Sequence, residues 1–241
     1  IGDCAFQGCS GFTGSLTLPS TLKSIGAGAF GSCGGFTGNL VLPEGLEELG
    51  ASAFSGCSKF SGDLRIPETI TVIRNRTFYY CKGLKGQLIL HDGLSFEGEH
   101  QFDSCGFQGE LKLPAYLTVI PKYCFQYCSF SSLAPLPKEL IEINEYAFAD
   151  CSRLMGTIEL PESVIAIRDY AFYRCSSLIS VTIPDSVTTI GDYAFYDCSS
   201  LTSVTIGDSV TTIGEWAFFG CSSLTSITIP DSVTTIGERA F

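Results

Sequence analysis

The chain is poor in the residues from which catalytic and metal centres are usually built. It holds two histidines, one methionine and one tryptophan. Charged residues make up only 16%. There is no G-x-S-x-G, no H-E-x-x-H, no P-loop and no dinucleotide fingerprint, so the common hydrolase, metalloprotease and nucleotide-binding chemistries lack their anchors. No C-x-x-C pair occurs among the 12 cysteines, which argues against zinc. No apolar run reaches the ~18 residues of a membrane-spanning helix. Basic residues are outnumbered 25 to 14, for a net charge of −11, which argues against nucleic acid and anionic membrane as partners. At 45% apolar the chain is not of the disordered class.

What is abundant is repetition. A Phe followed three residues later by a Cys recurs at Phe6/Cys9, Phe30/Cys33, Phe54/Cys57, Phe78/Cys81, Phe102/Cys105, Phe125/Cys128, Phe148/Cys151, Phe172/Cys175, Phe195/Cys198 and Phe218/Cys221, and Phe241 opens another unit. Successive Phe lie 24, 24, 24, 24, 23, 23, 24, 23, 23 and 23 residues apart. Each unit reads roughly L-x-L-P-x-x-L-x-x-I-x-x-x-A-F-x-x-C. The opening alternation, as in Leu40/Leu42, Leu64/Ile66 or Val181/Ile183, is the period of a strand with one buried face. A Pro usually follows, such as Pro43, Pro67 or Pro184, and having no N–H it ends the ladder. A second apolar pair follows at spacing three, as in Leu46/Leu49 or Val187/Ile190.

One such coil cannot bury its own apolar face, whereas stacked coils bury it between neighbours. Like residues then form columns. The Phe column contains Phe30, Phe54, Phe78, Phe125, Phe148, Phe172, Phe195 and Phe218. The Cys column contains Cys33, Cys57, Cys81, Cys128, Cys151, Cys175, Cys198 and Cys221. Parallel Cβ vectors suit a disulfide torsion poorly, so these are expected to be free buried thiols. Cys124 stands where the small Ala usually is and is expected to be buried. Cys4 falls at an exposed position. The unit holding both histidines departs from the pattern: His91 replaces the Pro, and by counting, Glu97 replaces the buried Ile. This unit is expected to be the loosest joint.

Units such as Ser180-Val-Thr-Ile-Pro-Asp-Ser-Val-Thr-Thr-Ile-Gly-Asp-Tyr-Ala-Phe-Tyr-Asp-Cys198 resemble the BspA-type leucine-rich repeat of bacterial and protozoan surface proteins. The resemblance extends over essentially the whole chain. It implies a leucine-rich-repeat solenoid of the α/β horseshoe class, β-dominated, with a curved parallel sheet of about ten short strands and short loop or 3-10 turns on the other side. It also implies a secreted or cell-surface location and adhesion to a host matrix protein, another cell-surface protein or a glycan. It transfers no binding residue, because the motif positions are structural. Residues 1–241 are expected to be one domain of about ten repeats, varied over 1–156 and near-consensus over 157–241. The chain starts and stops in the same phase of the repeat without a polar cap, so a longer polypeptide carrying the cap, signal and anchor is expected.

Two surfaces are candidates for ligand contact. The outward positions of the first strand vary over the early units, as in Val41, Asp63, Arg65, Gln87, Ile89, Glu110 and Lys112, and become uniform Ser/Thr in the last three. A macromolecular epitope needs that variety. Tyr146, Tyr170, Tyr193 and Trp216 form an aromatic file on another edge, suited either to ligand contact or to packing on one another. The carboxylate files Asp185/Asp208/Asp231 and Asp192/Glu215/Glu238 are expected to be a solvated acidic edge, since a hard cation needs several convergent oxygens. Neither a metal nor a cofactor is expected. The sequence points to a non-catalytic binding module, with a structural spacer that displays another domain as the alternative. Asn75-Arg76-Thr77 is a glycosylation sequon, relevant only in a eukaryotic secretory host.

Overall fold

A computed structural model describes residues 1–241 as a stack of coils in which every strand pairing is parallel. Each coil has three faces. The alternating L-x-L segment and the residues just before it form the first, in short ladders: Gly38–Asn39 with Phe60–Ser61, Leu64–Arg65 with Leu88–Ile89, Glu110–Leu111 with Ser132–Leu133, and Gly156–Glu159 with Leu178–Thr182 and Ser203–Thr205. The second apolar pair forms the second face. There the strands Val119–Ile120, Glu142–Ile143, Ala166–Ile167, Thr189–Ile190, Thr212–Ile213 and Thr235–Ile236 make one six-stranded sheet. The longest sheet therefore lies on the face whose sequence signal is only two residues wide, and the expected single sheet is divided between two faces.

The third face carries the Ala-Phe-x-x-Cys turn. It consists of β-turns, not 3-10 turns, with left-handed residues at the corners, as at Tyr193 (φ 56°) and Asp197 (φ 53°). It is also the most continuous part of the molecule. The Phe N–H donates to the carbonyl before the next coil's Phe at every step, from Phe6 to Ala29 (2.7 Å) through Phe102 to Cys124 (3.0 Å) to Phe218 to Ala240 (2.7 Å). This spine holds the Phe column in register. Neighbouring rings are near parallel, with centroids 5.2 Å apart at Phe6–Phe30 and 5.8 Å at Phe54–Phe78.

The cysteines have a specific task. Each thiol of the column from Cys33 to Cys221 donates to the Phe carbonyl of the preceding coil, with Sγ···O of 3.1 Å at Cys57–Phe30, 3.2 Å at Cys128–Phe102 and 3.2 Å at Cys221–Phe195. An Ala or Val there would fill space but leave this bond unmade. All the cysteines are free, and Cys124 is buried while Cys4 is exposed. Burial raises the thiol pKa from Cys33 to Cys221, pushing Cys151 and Cys221 up to about 12, which disfavours the reactive thiolate.

A second aromatic file accompanies the first, two or three residues after the Cys. It holds Phe12, Phe36, Phe60, Phe107 and Phe130, and becomes Leu at Leu84, Leu154, Leu178 and Leu201. These rings meet the main column edge-on, as in Phe54–Phe60 at 6.2 Å and 73°. All this packs into one apolar core running along the stack.

The irregular unit rearranges differently from the count along the sequence. Ile73 pairs with Phe96, not with Glu97. Phe96 enters the core column and packs edge-on against Phe102 (5.9 Å) and Phe125 (6.1 Å). Glu97 is turned out to meet Arg74, Nη1 to Oε2 2.6 Å. The reason is a one-residue transfer: the segment before Phe96 is one shorter, and the extra residue is absorbed at Gly98, whose φ of 81° admits the bulge. His91 fills the Pro position with both ring nitrogens in use. Nε2 lies 2.9 Å from the Ile70 carbonyl and Nδ1 accepts from the Gly93 N–H, which fixes the neutral Nε2–H tautomer.

Both strand faces are interrupted at this unit. Leu88–Ile89 does not pair with Glu110–Leu111, and Ser95–Phe96 does not pair with Val119–Ile120. On the second face Pro121 stands at this break. In regular coils the residue after the Ile donates to the previous coil, as Gly50 does to Ile25 (2.8 Å) and Asn144 to Ile120 (3.1 Å). Pro121 has no N–H to give. Here the coils are joined by the turn-face spine and the Phe stack.

Candidate binding surfaces

The sheet-face candidates are placed by the alternation of the first strand. Leu64 and Ile66 point into the core, so Asp63 and Arg65 point out. The ladder sets Arg65 beside Ile89 and Leu64 beside Leu88. Asp63 Oδ1 accepts the Gln87 N–H at 2.7 Å, so this carboxylate links coils. Arg65 lies between Glu44 (3.7 Å) and Glu68 (4.0 Å). Val41 is 68% exposed, one coil earlier. Glu110 and Lys112 are exposed beyond the interrupted rung. The structure thus joins Asp63, Arg65, Gln87 and Ile89 in one ladder, flanked by Val41 on one side and by Glu110 and Lys112 on a separate ladder.

The aromatic edge is a column. His100 stacks on Tyr123 (4.4 Å), which stacks on Tyr146 (4.9 Å); Tyr170 (4.4 Å), Tyr193 (4.7 Å) and Trp216 (5.9 Å) continue it. Arg239 caps the far end, 4.8 Å over the Trp216 ring. Tyr146, Tyr170, Tyr193 and Trp216 are all half-buried, and their faces are occupied by one another. Burial pushes the Tyr170 hydroxyl up to about 12. Each of these residues is left-handed, at φ 56–59°, a conformation that costs roughly 1–2 kcal/mol for an L-residue; stacking along the column offsets it.

The acidic files serve the backbone. Asp185 Oδ1 accepts the Asp208 N–H (2.7 Å), Asp169 accepts from Asp192 (2.9 Å), and Asp192 accepts from Glu215 (2.7 Å). They are inter-coil acceptors more than a merely solvated edge. Asn75 behaves alike, accepting the Glu99 N–H at 3.2 Å, so the sequon's side chain is already engaged.

One cluster has the composition of a catalytic triad. His100 Nδ1 lies 2.7 Å from Asp103 Oδ2, and Ser104 Oγ donates to Asp103 Oδ1 at 2.7 Å. The connectivity is wrong for nucleophile activation, which needs the hydroxyl on the imidazole. Here the hydroxyl is committed to the carboxylate, and Asp103, only 4% exposed, is satisfied from both sides.

The family profile described as the BspA type leucine rich repeat region matches in six copies, over residues 1–131, 60–166 and 118–241. The chain belongs to the BspA-type leucine-rich-repeat family. Its coils are similar to a leucine-rich cell surface protein from Faecalibacterium prausnitzii, at 27% identity and a TM-score of 0.59, covering 100% of this chain and 67% of that one. A leucine-rich repeat protein from Bacteroides ovatus is 25% identical over 89% of this chain and 78% of its own, at a TM-score of 0.44. No curated protein matches significantly. No helix of this BspA-type chain is long and apolar enough to cross a membrane.

Proposed function

We propose that the chain is a non-catalytic binding module of a secreted or cell-surface protein, taking a protein or glycan ligand on the first strand face. The observation that carries this reading is the contrast along that face. Val41, Arg65, Ile89 and Lys112 supply apolar and cationic groups, whereas the last rungs offer mostly Ser and Thr, as at Ser203 and Thr205, with Ile179 the exposed apolar exception. Interface centres are built from such mixed anchors. The likeness to a protein described as cell-surface supports the location. The regular six-stranded sheet of the later coils favours a second role for that half, as a spacer.

A binding screen of the chain against matrix proteins and glycans tests the reading. A hit on this face should weaken about tenfold or more in R65E/K112E, since reversing charges at an interface adds repulsion. Binding that survives the double reversal removes the face from consideration.

A further inference from the structure

The file two residues after each Phe reads Gly8, Ser32, Gly56, Tyr80, Ser104, Tyr127, Asp150, Arg174, Asp197 and Gly220. Tyr occurs in it only at Tyr80 and Tyr127, on either side of Ser104. Both tyrosines are held left-handed, at φ 60° and 56°, and both are exposed, at 42% and 55%. The tyrosines of the neighbouring column are half-buried in their stack. Between Tyr80 and Tyr127 lies a concave notch of about 690 Å³, whose wall also includes Lys82, Lys85 and Gln108.

The spacing suits a ring. Successive rings of the Phe column in these coils are 5.6 Å and 5.7 Å apart, so the two tyrosine positions, two steps apart, are separated by about 10 Å at the ~5 Å pitch of stacked strands. A saturated ring in van der Waals contact with an aromatic face sits ~4 Å from it. Two steps along the stack leave room for one such ring between the tyrosine positions, over the small Ser104. The main Phe column and the His100–Trp216 column carry a ring at each step; here the middle position has none.

The charge around the notch differs from that of the molecule. Lys82 and Lys85 have no carboxylate partner within salt-bridge distance. Lys82 Nζ lies 4.1 Å over the Tyr80 ring, which places its ammonium at the mouth. Asp103 is buried and bonded to His100 and Ser104. Asp150, next along the file, lies beside the Tyr127 hydroxyl and is offset by Arg174. In a chain of net charge −11, two ammonium groups without carboxylate partners beside two exposed tyrosines are suited to an anion bearing a stackable ring.

We propose that the Tyr80–Ser104–Tyr127 notch binds an anionic saccharide, with the sugar ring against the tyrosine faces and its acidic group on Lys82 and Lys85. An acidic peptide fits less well. The notch offers no buried apolar pocket for a side-chain anchor, and the Tyr80 and Tyr127 N–H groups are already bonded to Asp103 and Ala149, so they are not available to a peptide strand. The site lies on the turn face and does not depend on the sheet-face reading.

The test is calorimetric titration of the chain with 3′-sialyllactose, a hexuronate disaccharide and a sulfated disaccharide, with lactose as the neutral probe and an oligoglutamate as the acidic peptide. Binding of at least one anionic sugar, with lactose about tenfold weaker or silent, is the expected result, and the arms tell carboxylate from sulfate. K82E/K85E and Tyr127→Ala should each weaken it about tenfold. Ser104→Tyr, which fills the notch with a residue this file already tolerates, should abolish it. R65E/K112E should leave it unchanged. The proposal is overturned if lactose binds equally well, if the peptide binds in preference, if Ser104→Tyr binds as wild type, or if no anionic sugar binds at millimolar concentration.

Discussion

The coils before the joint and those after it solve the same stacking problem differently. Before it, both strand faces break into two-stranded ladders, and the file after the Cys is largely Phe. After it, one six-stranded sheet runs to Thr235–Ile236, and that file becomes Leu from Leu154 onward. What the two regions share is the turn-face spine of Phe N–H to carbonyl bonds, the Phe stack and the thiol bonds. Register in this solenoid is therefore set on the turn face. The strand faces can gain or lose a residue, as at Gly98 or at the shift between Gly156 and Thr157, without disturbing the core columns.

The largest test of that view is removal of a ring at the joint. Phe125 is fully buried, stacked between Phe102 (5.7 Å) and Phe148 (5.5 Å), with Phe96 and Phe130 edge-on. Phe125→Ala should cost ~3–5 kcal/mol in urea unfolding. Phe6→Ala, at a partly exposed end ring, should cost clearly less. Equal costs at the two sites would mean that the column does not hold the joint.

Much of this was legible from spacing alone. Phe, Cys and Ile repeat at intervals that only a stack explains, and burial confirms those columns. Three features were not legible, each for a physical reason. The long sheet sits on a segment where two residues pair per coil, too short for a period-2 signal. Phe96 was hidden because counting along the sequence assumes constant segment lengths, while the chain moved one residue across the strand to place an aromatic, not a carboxylate, in the core. The Tyr80–Ser104–Tyr127 notch joins residues two coils apart, and becomes visible only when the units are aligned column by column. The polar residues of the Ala column, Thr77 and Gln101, fall in the same region, so departures from the repeat cluster where the ladders break.

A smaller effect sharpens the comparison at the ladder itself. Pro121→Asn supplies the N–H that Asn144 uses in the next coil, and its natural acceptor is the Phe96 carbonyl. The new bond contributes on the order of 1 kcal/mol, partly offset by the conformational freedom regained by the unfolded chain on losing Pro. Global stability should change little. Hydrogen exchange at residues 119–123 should slow toward the rates of 189–193 in the continuous sheet. Unchanged exchange would show that something other than the missing donor separates the two regions.

The smallest expected effect concerns charge at the start of the continuous sheet. Lys122 Nζ lies 2.8 Å from Glu145 Oε1. Burial works against the Glu145 charge, but the Lys122 ammonium more than compensates and holds the carboxyl below the usual range, while Lys122 is raised in turn. A carboxyl lowered on folding stabilises the fold at all pH above its ordinary unfolded value, and that contribution is lost as pH falls through the lowered folded value. Glu145→Gln should therefore lower stability slightly at pH 7, leave it unchanged at a pH below both values, and flatten the acid limb of the stability profile between. Lys122 is exposed and Glu145 half-buried, so the pair is only partly screened and 1 M salt should remove part of the difference. If Glu145→Gln matches the wild type across the whole acid limb, the continuous sheet owes nothing to this pair, and the contrast between the two regions reduces to the missing Pro121 donor and the displaced Phe96.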